Sequence, residues 1–317
     1  MNQHQLPLNS PEISPEGPNE KLTPVFNIRN VVDQVLVQYQ KAISREDHNL
    51  GLSTGFRQLD RMLGGLLPGL HMLASRPNMG KTTLMLNIAE HILVQLKVSC
   101  LIFSCDLPAS QIVRRMVFAR ARQSPFGSPN TDVISDKAKQ DHLKGAASEI
   151  AESPLYIEDS FDFSIESLRS IATRYRRDAG IGFIAIDHLH LLMLKPMMVG
   201  LSREREVFEI TAQLKSLARE IDTPLLLLTD LSRKPEYRRG GVPRMTDIQY
   251  YSMIERFADT IALLCRPEYY AETDEERDAL HGKAELCICK NPAGSRGDVE
   301  FHFNSMLLRF EEIEPGV

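Results

Sequence analysis

The segment Ser75–Thr83, which reads Ser-Arg-Pro-Asn-Met-Gly-Lys-Thr-Thr, constrains the fold of this chain more than any other. It follows an apolar run, Leu70–Ala74, and opens a second run, Thr82–Leu93, whose apolar residues recur at helical spacing. A turn that ends in Gly-Lys-Thr between a buried strand and a helix is the pattern of a P-loop. Its backbone N–H groups and the positive end of the helix attract anions. The segment therefore predicts a phosphate site within an α/β fold.

The P-loop pattern gives individual residues of this segment a role. We expect the ammonium of Lys81 to contact the β- and γ-phosphates of a nucleotide and the hydroxyl of Thr82 to bind Mg²⁺. Ser75 stands where the usual pattern has its first glycine. A chance Gly-Lys-Thr is the alternative, and the strand before it and the helix after it argue against chance. The candidate nucleotide contacts are Ser75, Arg76, Pro77, Asn78, Met79, Gly80, Lys81, Thr82 and Thr83.

Two carboxylates end or follow other predicted strands. Asp187 ends the apolar strand Phe183–Asp187, and a carboxylate there is typical of the second Mg²⁺-associated motif of P-loop NTPases. Asp106 follows the strand at 99–104 and could orient or deprotonate an attacking water, so it is a candidate catalytic residue. Each has a structural alternative, because Asp187 could cap a loop and Asp106 could cap the helix that begins near Pro108. For Asp106 the sequence alone supports both roles equally.

Strand-like and helix-like segments alternate from Leu52 onward, which predicts an α/β fold with a mostly parallel central sheet covered by helices on both faces. The last two strands, joined by the turn Asn291–Gly297, predict an antiparallel hairpin at one edge. The predicted strands are 70–75, 99–104, 154–158, 182–187, 223–229, 259–265, 284–290 and 298–303. The predicted helices lie near 81–95, 108–122, 135–150, 164–178, 203–220 and 249–256.

The chain is predicted to have three parts. Residues 1–26 carry several prolines among polar residues and cannot bury enough apolar surface to order, so we predict a disordered tail. Residues 27–48 contain apolar residues at helical spacing, which predicts an amphipathic linker helix at about 27–45. Such a helix needs a surface to pack on, either its own core or a neighbouring subunit. Residues 49–317 form the predicted main domain.

The bulk composition excludes some classes of protein. A net charge of −5 and a pI near 6.0 give no overall attraction to nucleic acid, so such contact needs a local basic patch or a channel formed by several subunits. No apolar run reaches the roughly 18 residues that cross a bilayer, and the start lacks a signal-peptide pattern, so we expect no membrane contact. The five cysteines are predicted to be reduced thiols of a cytoplasmic protein rather than a metal site.

Several stretches, the phosphate loop among them, carry a resemblance to a known family. They are Ser53–Phe56, Leu59-Asp60, Arg76–Thr83, Ser104–Pro108, Tyr156–Asp159, Ile186–Leu191 and Leu214–Ala218. Together they resemble the C-terminal ATPase domain of the DnaB family of bacterial replicative helicases, over about 28–313. The resemblance implies a RecA-like P-loop NTPase fold, ATP and Mg²⁺ as cofactors, a hexameric ring and single-stranded DNA in its channel. It also implies that the helix at 27–48 docks on the adjacent subunit.

The chain departs from that family at positions that act on bound nucleotide, and the family's N-terminal helical domain is expected to be absent. The family's catalytic glutamate falls on Asp106, whose carboxylate is pulled back by about an ångström, and misplacement of that size costs about 10²-fold in rate. The family's glutamine after the second motif falls on His190, a further candidate catalytic residue. The family's Lys-Gln-Arg, which enters the next subunit's site, aligns with Lys290-Asn291-Pro292. The catalytic lysine is therefore kept as Lys290, but the finger arginine, typically worth about 10³–10⁵ in turnover, is not. Arg296, four residues further along the same turn, could substitute for it.

The segment expected to face DNA also differs. Where the family has Asp-Leu-Arg-Glu-Ser-Gly, this chain has Asp247–Ser252, so an arginine becomes Gln249 and a glycine becomes Ser252. Tyr250 could stack on a base, as aromatic residues do in single-strand binders, or serve as a packing residue. Basic residues upstream could contact phosphates or simply form a solvated loop. The candidate DNA contacts are Arg233, Arg244, Gln249 and Tyr250.

Two main functions remain open on the sequence. The first is an ATP-dependent helicase or translocase of the DnaB type that acts on single-stranded DNA in replication, with weakened hydrolysis. The second is a non-motor relative that binds ATP as an assembly signal and partners or regulates a true replicative helicase, and the altered Asp106, Pro292 and Gln249 favour it. A RecA-like ATPase of the recombinase or KaiC type is a third, which the Arg-Pro-x-Met form of the loop disfavours. We expect ATP binding with slow turnover.

Overall fold

The computed structural model describes residues 28–44, 49–125, 136–160, 162–194 and 202–313. Its α-helices are α1 (Ile28–Ile43), α2 (Arg57–Leu63), α3 (Lys81–Val94), α4 (Ala109–Arg120), α5 (Lys137–Ala151), α6 (Ile165–Ala179), α7 (Arg203–Glu220), α8 (Tyr251–Ile254) and α9 (Asp274–Ala279). Its strands are β1 (Gly69–Ser75), β2 (Cys100–Ser104), β3 (Leu155–Glu158), β4 (Phe183–Asp187), β5 (Pro224–Asp230), β6 (Thr260–Cys265), β7 (Lys283–Lys290), β8 (Gly297–Asn304) and β9 (Arg309–Glu312).

The strands form one sheet in the order β3-β2-β4-β5-β1-β6-β7-β8-β9. The neighbouring strands β3, β2, β4, β5, β1 and β6 run parallel to one another. Strand β1 lies between β5 and β6 and is buried over its whole length. Parallel strands end at the same edge of a sheet, and ligand sites of open α/β sheets form outside those carboxyl ends. The residues that follow β1, β2, β4 and β5 therefore meet at one edge, which includes the P-loop.

Helices cover both faces of the sheet. One face packs on α3, α4 and α5 through buried side chains such as Met85, Met116 and Ile150. The other face packs on α6 and α7 through buried side chains such as Leu168 and Leu214. Apolar residues recur at three- and four-residue spacing on these helices, which turns one stripe of each toward the sheet. The predicted α/β fold, with a mostly parallel sheet covered on both faces, is confirmed.

The antiparallel edge is larger than the predicted hairpin. Strands β7 and β8 form that hairpin, and the pairs β6–β7 and β8–β9 are antiparallel as well. The prediction misses β9, whose four residues are too few to show a clear alternation. Asn87 of α3 fixes this strand, because its Nδ2 donates to Leu308 O at 3.1 Å and its Oδ1 accepts from Phe310 N at 2.8 Å. The edge of the sheet therefore lies against the helix that follows the P-loop.

Two short helices differ from the predicted elements. The helix α2 was not predicted, and its Asp60 is buried, where the carboxylate accepts from Ser53 Oγ at 2.6 Å and from Thr54 N at 2.8 Å. Burial raises the pKa of Asp60, although these hydrogen bonds oppose the shift. The helix predicted at 249–256 is only the single turn α8. Tyr250 has φ 59°, a left-handed backbone, so the right-handed helix cannot begin before Tyr251.

Helix α1 covers most of the predicted linker segment 27–48. The apolar side chains of α1 that the structure describes are exposed, among them Ile28 at 75%, Leu36 at 55% and Ile43 at 71%. A stripe of this kind is typical of a helix that packs on another surface. Its role in assembly stays a prediction, and the predicted tail 1–26 lies outside the described residues. Across the described ranges, no helix is both long and apolar enough to span a membrane.

Candidate functional site

The carboxyl ends of the central strands open onto a cavity of about 540 Å³. Of the candidate nucleotide contacts, it is lined by Pro77, Asn78, Gly80, Lys81, Thr82 and Thr83. The predicted metal ligand Asp187 and the predicted catalytic residue Asp106 line it as well. The end of β8 and the turn to β9 add Phe303, Met306 and Leu308 to the lining. A lining that combines charged and apolar groups suits a ligand with a charged end and a flat, less polar end.

The P-loop wraps this cavity because two of its residues have a left-handed backbone. Asn78 has φ 66° and Gly80 has φ 96°, a region that asparagine and glycine tolerate better than other residues. A Cβ on Gly80 would also lie 2.9 Å from Phe310 Cζ, so the position has no room for a side chain. The turn leads directly into α3, which begins at Lys81. The unpaired N–H groups and positive end of α3 therefore lie at the cavity.

Lys81 and Thr82 each contact a carboxylate at the cavity. Lys81 Nζ donates to Asp230 Oδ1 at 2.5 Å and to Ser75 O at 3.4 Å. Thr82 Oγ1 donates to Asp187 Oδ2 at 2.7 Å. Two oxygen ligands this close, beside a helix end that attracts phosphate, fit Mg²⁺, which is bound by a few protein oxygens together with substrate phosphates. The donor set of the site therefore fits the predicted metal.

Asp106 lies at the rim of the cavity and is exposed. The sequence left open whether it caps helix α4. The structure gives that contact to another residue, since Ala109 N, at the start of α4, donates to Asp159 Oδ2 at 2.6 Å. The residue before the helix, Pro108, makes no side-chain cap. Asp106 therefore lines the cavity and the α4 contact is made by Asp159, while a catalytic role of Asp106 stays a prediction.

Two further residues of the cavity, His188 and Asp230, were not predicted from the sequence. His188 lies between two carboxylates, with Nδ1 3.6 Å from Asp187 Oδ1 and Nε2 3.8 Å from Asp230 Oδ2. Its contact with Asp187 raises the pKa of His188, although burial opposes this. Burial raises the pKa of Asp230, but Lys81 together with His188 and His190 outweighs it, so that the net pKa of Asp230 is lowered. A signal for Asp230 was present, because it ends a buried strand just as Asp187 does.

His190 lies behind the cavity rather than on its lining. Its Nε2 accepts from Asp230 N at 3.2 Å and is 3.2 Å from Thr229 Oγ1. Burial lowers the pKa of His190, which favours the neutral ring that this acceptor role requires. The ring of Tyr250 has its centroid 6.3 Å from the His190 ring. His190 therefore lies between the end of β5 and the segment predicted to meet DNA.

Three of the candidate nucleotide contacts do not line the cavity. Ser75 and Met79 are buried, and Ser75 contributes only its carbonyl to Lys81. Arg76 is directed elsewhere, because its Nη2 donates to Glu236 Oε1 at 2.5 Å and its Nη1 to Leu231 O at 2.8 Å. Arg76 therefore ties the P-loop to the segment that follows β5. The sequence could not show this contact, since its partners lie more than 150 positions away.

Lys290 ends β7 and is not part of this cavity lining. Its Nζ donates to Glu255 O at 2.6 Å. The next residue, Asn291, is buried and its Nδ2 donates to Met62 O at 2.8 Å, which fixes the turn after β7. Pro292 and Arg296 in that turn are exposed. A role of Lys290 in the site of a neighbouring subunit stays a prediction.

The candidate DNA contacts lie on one segment, 231–250, that leaves the end of β5. Arg233, Arg244 and Gln249 are exposed, and Tyr250 is half-buried. The segment folds around the buried carboxylate of Asp247, which pairs with Arg238 and accepts from Arg244 N at 2.7 Å. Buried ion pairs of this kind fix a loop in one shape when every oxygen has a donor. The exposed basic groups are therefore presented from an ordered segment.

Comparison with known proteins agrees with this geometry. Residues 51–312 match the family model described as DnaB-like helicase C terminal domain. A replicative DNA helicase of Bacillus subtilis, DnaC, is 32% identical over 301 residues, which is 94% of this chain and 65% of that protein. The replicative DNA helicase DnaB of Pasteurella multocida is 34% identical over 307 residues, 95% of this chain and 62% of that protein.

Solved structures show the same likeness. One solved ATPase domain has a TM-score of 0.76 at 27% identity and covers 89% of this chain and 99% of its own. A DnaB-like replicative helicase, described with its interactions with primase, has a TM-score of 0.76 at 27% identity, over 89% of this chain and 67% of its own. This chain spans 62 to 65% of the length of the two curated relatives. It belongs to the DnaB-like helicase C-terminal domain family.

Proposed function

We propose that this chain is the ATPase unit of a DnaB-like helicase that uses Mg·ATP to act on single-stranded DNA in replication. The observation that carries the proposal is the cavity, where Lys81, the start of α3 and the Thr82–Asp187 pair lie together at the carboxyl edge of the sheet. The chain's relatives are replicative DNA helicases. Such a role would place the protein in the cytoplasm.

Different residues of the cavity would contact different parts of the nucleotide. The P-loop amides, the positive end of α3 and Lys81 would hold the phosphates. Thr82 and Asp187 would hold Mg²⁺, which would neutralise negative charge on the phosphates. The apolar side chains Phe303, Met306 and Leu308, which line the same cavity, would contact the flat base. Asp106 at the rim would orient the attacking water and accept its proton.

We propose that turnover is slow. Asp106 is one methylene shorter than a glutamate, and its carboxylate lies at the rim of the cavity. Pro292 and Asn291 offer no cation to a neighbouring site, and Lys290 is bonded to Glu255 O in the single chain. These observations also favour the second candidate, a non-motor relative that binds ATP as an assembly signal. The two candidates differ in whether DNA controls hydrolysis.

The ATPase rate, titrated against single-stranded DNA, separates the two. We expect the rate of the wild-type chain to rise with single-stranded DNA and to remain below about one per second, the low end of typical turnover numbers. Lys81→Ala serves as the control and should remove the activity. An ATPase rate at saturating ATP that does not change when single-stranded DNA is added would contradict the helicase proposal and support the non-motor relative.

Helix α1 leads to a prediction about assembly. We propose that its exposed stripe packs on a neighbouring subunit in a ring, hexameric as the family resemblance implies. A chain that begins at Gly51 should then have a lower mass in solution than the full chain, as measured by light scattering. Leu36→Asp tests the same contact without truncation, because a charge placed on the stripe would be buried unpaired. If both variants keep the oligomer of the full chain, α1 does not hold it together.

A further inference from the structure

The phosphate-binding lysine already has an anionic partner in this chain. Lys81 Nζ is 2.5 Å from Asp230 Oδ1, and the Lys81 side chain is only 11% exposed. The P-loop role of Lys81 requires the same ammonium to contact the β- and γ-phosphates. An ammonium has three donors, and here one reaches Ser75 O and another Asp230. Phosphate must therefore share Lys81 with Asp230 or displace it.

The surroundings of Asp230 make sharing unfavourable. Its second oxygen, Oδ2, lies 3.8 Å from His188 Nε2, and Asp187, with Oδ1 3.6 Å from His188 Nδ1, lies on the other side of that ring. Two carboxylates thus already face a cavity where the triphosphate adds several negative charges. Like charges at such distances repel strongly when they are partly shielded from water. The carboxylate of Asp230 is the part of this arrangement that opposes the nucleotide.

The backbone of Asp230 connects the cavity to the candidate DNA segment. Its N–H donates to His190 Nε2 at 3.2 Å, and its carbonyl accepts from Gln249 N at 3.4 Å. The next residue, Leu231, pairs with Ile248 in an isolated antiparallel bridge. Asp230 therefore contacts Lys81 through its side chain and Gln249, near the end of the segment 231–250, through its main chain.

We propose that Asp230 is a positioning residue that holds Lys81 in the nucleotide-free chain and releases it to the β- and γ-phosphates of a bound nucleotide. The competition for Lys81 requires only that nucleotide binds in the cavity. It rests on the proposed nucleotide site. No binding of an ATP analogue to the wild type would refute that site, whereas an unchanged affinity in Asp230→Asn would refute only the competition.

The competition is tested with Asp230→Asn in the full chain. Calorimetric titration should show that a non-hydrolysable ATP analogue with Mg²⁺ and ADP bind about tenfold more tightly to the variant, since the opposing charge is gone. AMP, whose phosphate does not reach Lys81 in the P-loop role, should change far less. A merely structural residue would shift all three nucleotides together. Equal or weaker binding of the ATP analogue would overturn the competition.

A matched control lies at the other end of the same strand. Asp222 is exposed in the turn before β5, with φ 47°, a backbone that asparagine adopts readily. Asp222→Asn makes the same chemical change away from the cavity and should leave all three affinities unchanged. Asp230→Ser is the second uncharged variant, to be used if Asp230→Asn fails to fold, and should shift affinity in the same direction.

Discussion

Asp106→Glu should raise ATP turnover by about 10²-fold. The carboxylate of Asp106 lies at the rim of the cavity, after β2 and beside the end of β4, where Ser104 pairs with Asp187. A glutamate extends the carboxylate by about an ångström toward the phosphates. Displacements of that size change rates by about 10²-fold when the group must reach a reacting atom. The measurement is the steady-state ATPase rate at saturating ATP and single-stranded DNA.

The control for this prediction is Asp106→Asn, which keeps the size of the side chain and removes its basicity. It should lower turnover while the affinity for ATP stays close to that of the wild type, because Asp106 is assigned to the water and not to the phosphates. The capping role offers no alternative, since the start of α4 is held by Asp159. If Asp106→Glu and Asp106→Asn turn over ATP at the wild-type rate, the base is another group.

Glu90→Ala should lower the free energy of unfolding by about 3–5 kcal/mol, the range for removing one partner of a buried ion pair. Glu90 lies on α3 with its side chain 4% exposed. Its Oε1 pairs with Arg120 of α4 at 3.1 Å and its Oε2 with Arg309 of β9 at 2.9 Å. Removal of the carboxylate leaves two guanidinium groups without their shared buried anion. Urea unfolding followed by circular dichroism measures the change.

Glu149→Ala is the matched control, because Glu149 pairs with the same Arg120 at 2.7 Å but its side chain is 50% exposed. Exposed pairs contribute little, so a loss below about 1 kcal/mol is expected. A similar loss in both variants would mean that burial of Glu90 does not set the strength of the contact. Because β9 also places Phe310 against Gly80, loss of the Glu90 contacts should loosen the P-loop as well.

The parts of the fold that could be predicted are those whose signal is local. The P-loop is one continuous segment, and its strand and helix flank it directly, so the phosphate site was visible in Ser75–Thr83. Asp187 was found because it ends a long apolar run. The parallel sheet followed from the regular alternation of strands and helices.

The remaining features depend on contacts between distant positions. Asp230 becomes part of the site only because β5 lies beside β1 in the sheet, which puts it next to Lys81, 149 positions earlier. The side chain of Arg76 lies outside the cavity because it donates to the carboxylate of Glu236, on the segment that follows β5. Strand β9 pairs with β8, and Asn87 of α3 accepts a hydrogen bond from its backbone. The four residues of β9 show no pattern that predicts these contacts. Long-range pairing of this kind has no periodic signature.

The central claim is that the cavity around Lys81 binds Mg·ATP. The most direct measurement is a calorimetric titration of ATP into the wild-type chain and Lys81→Ala, each with and without Mg²⁺. We expect saturable binding in the wild type, weaker binding without Mg²⁺, and a loss of affinity of about 10²-fold in Lys81→Ala, the value of one or two charge-assisted hydrogen bonds. Equal affinities for ATP in the wild type and Lys81→Ala, or affinities that are the same with and without Mg²⁺, would contradict binding of Mg·ATP at Lys81.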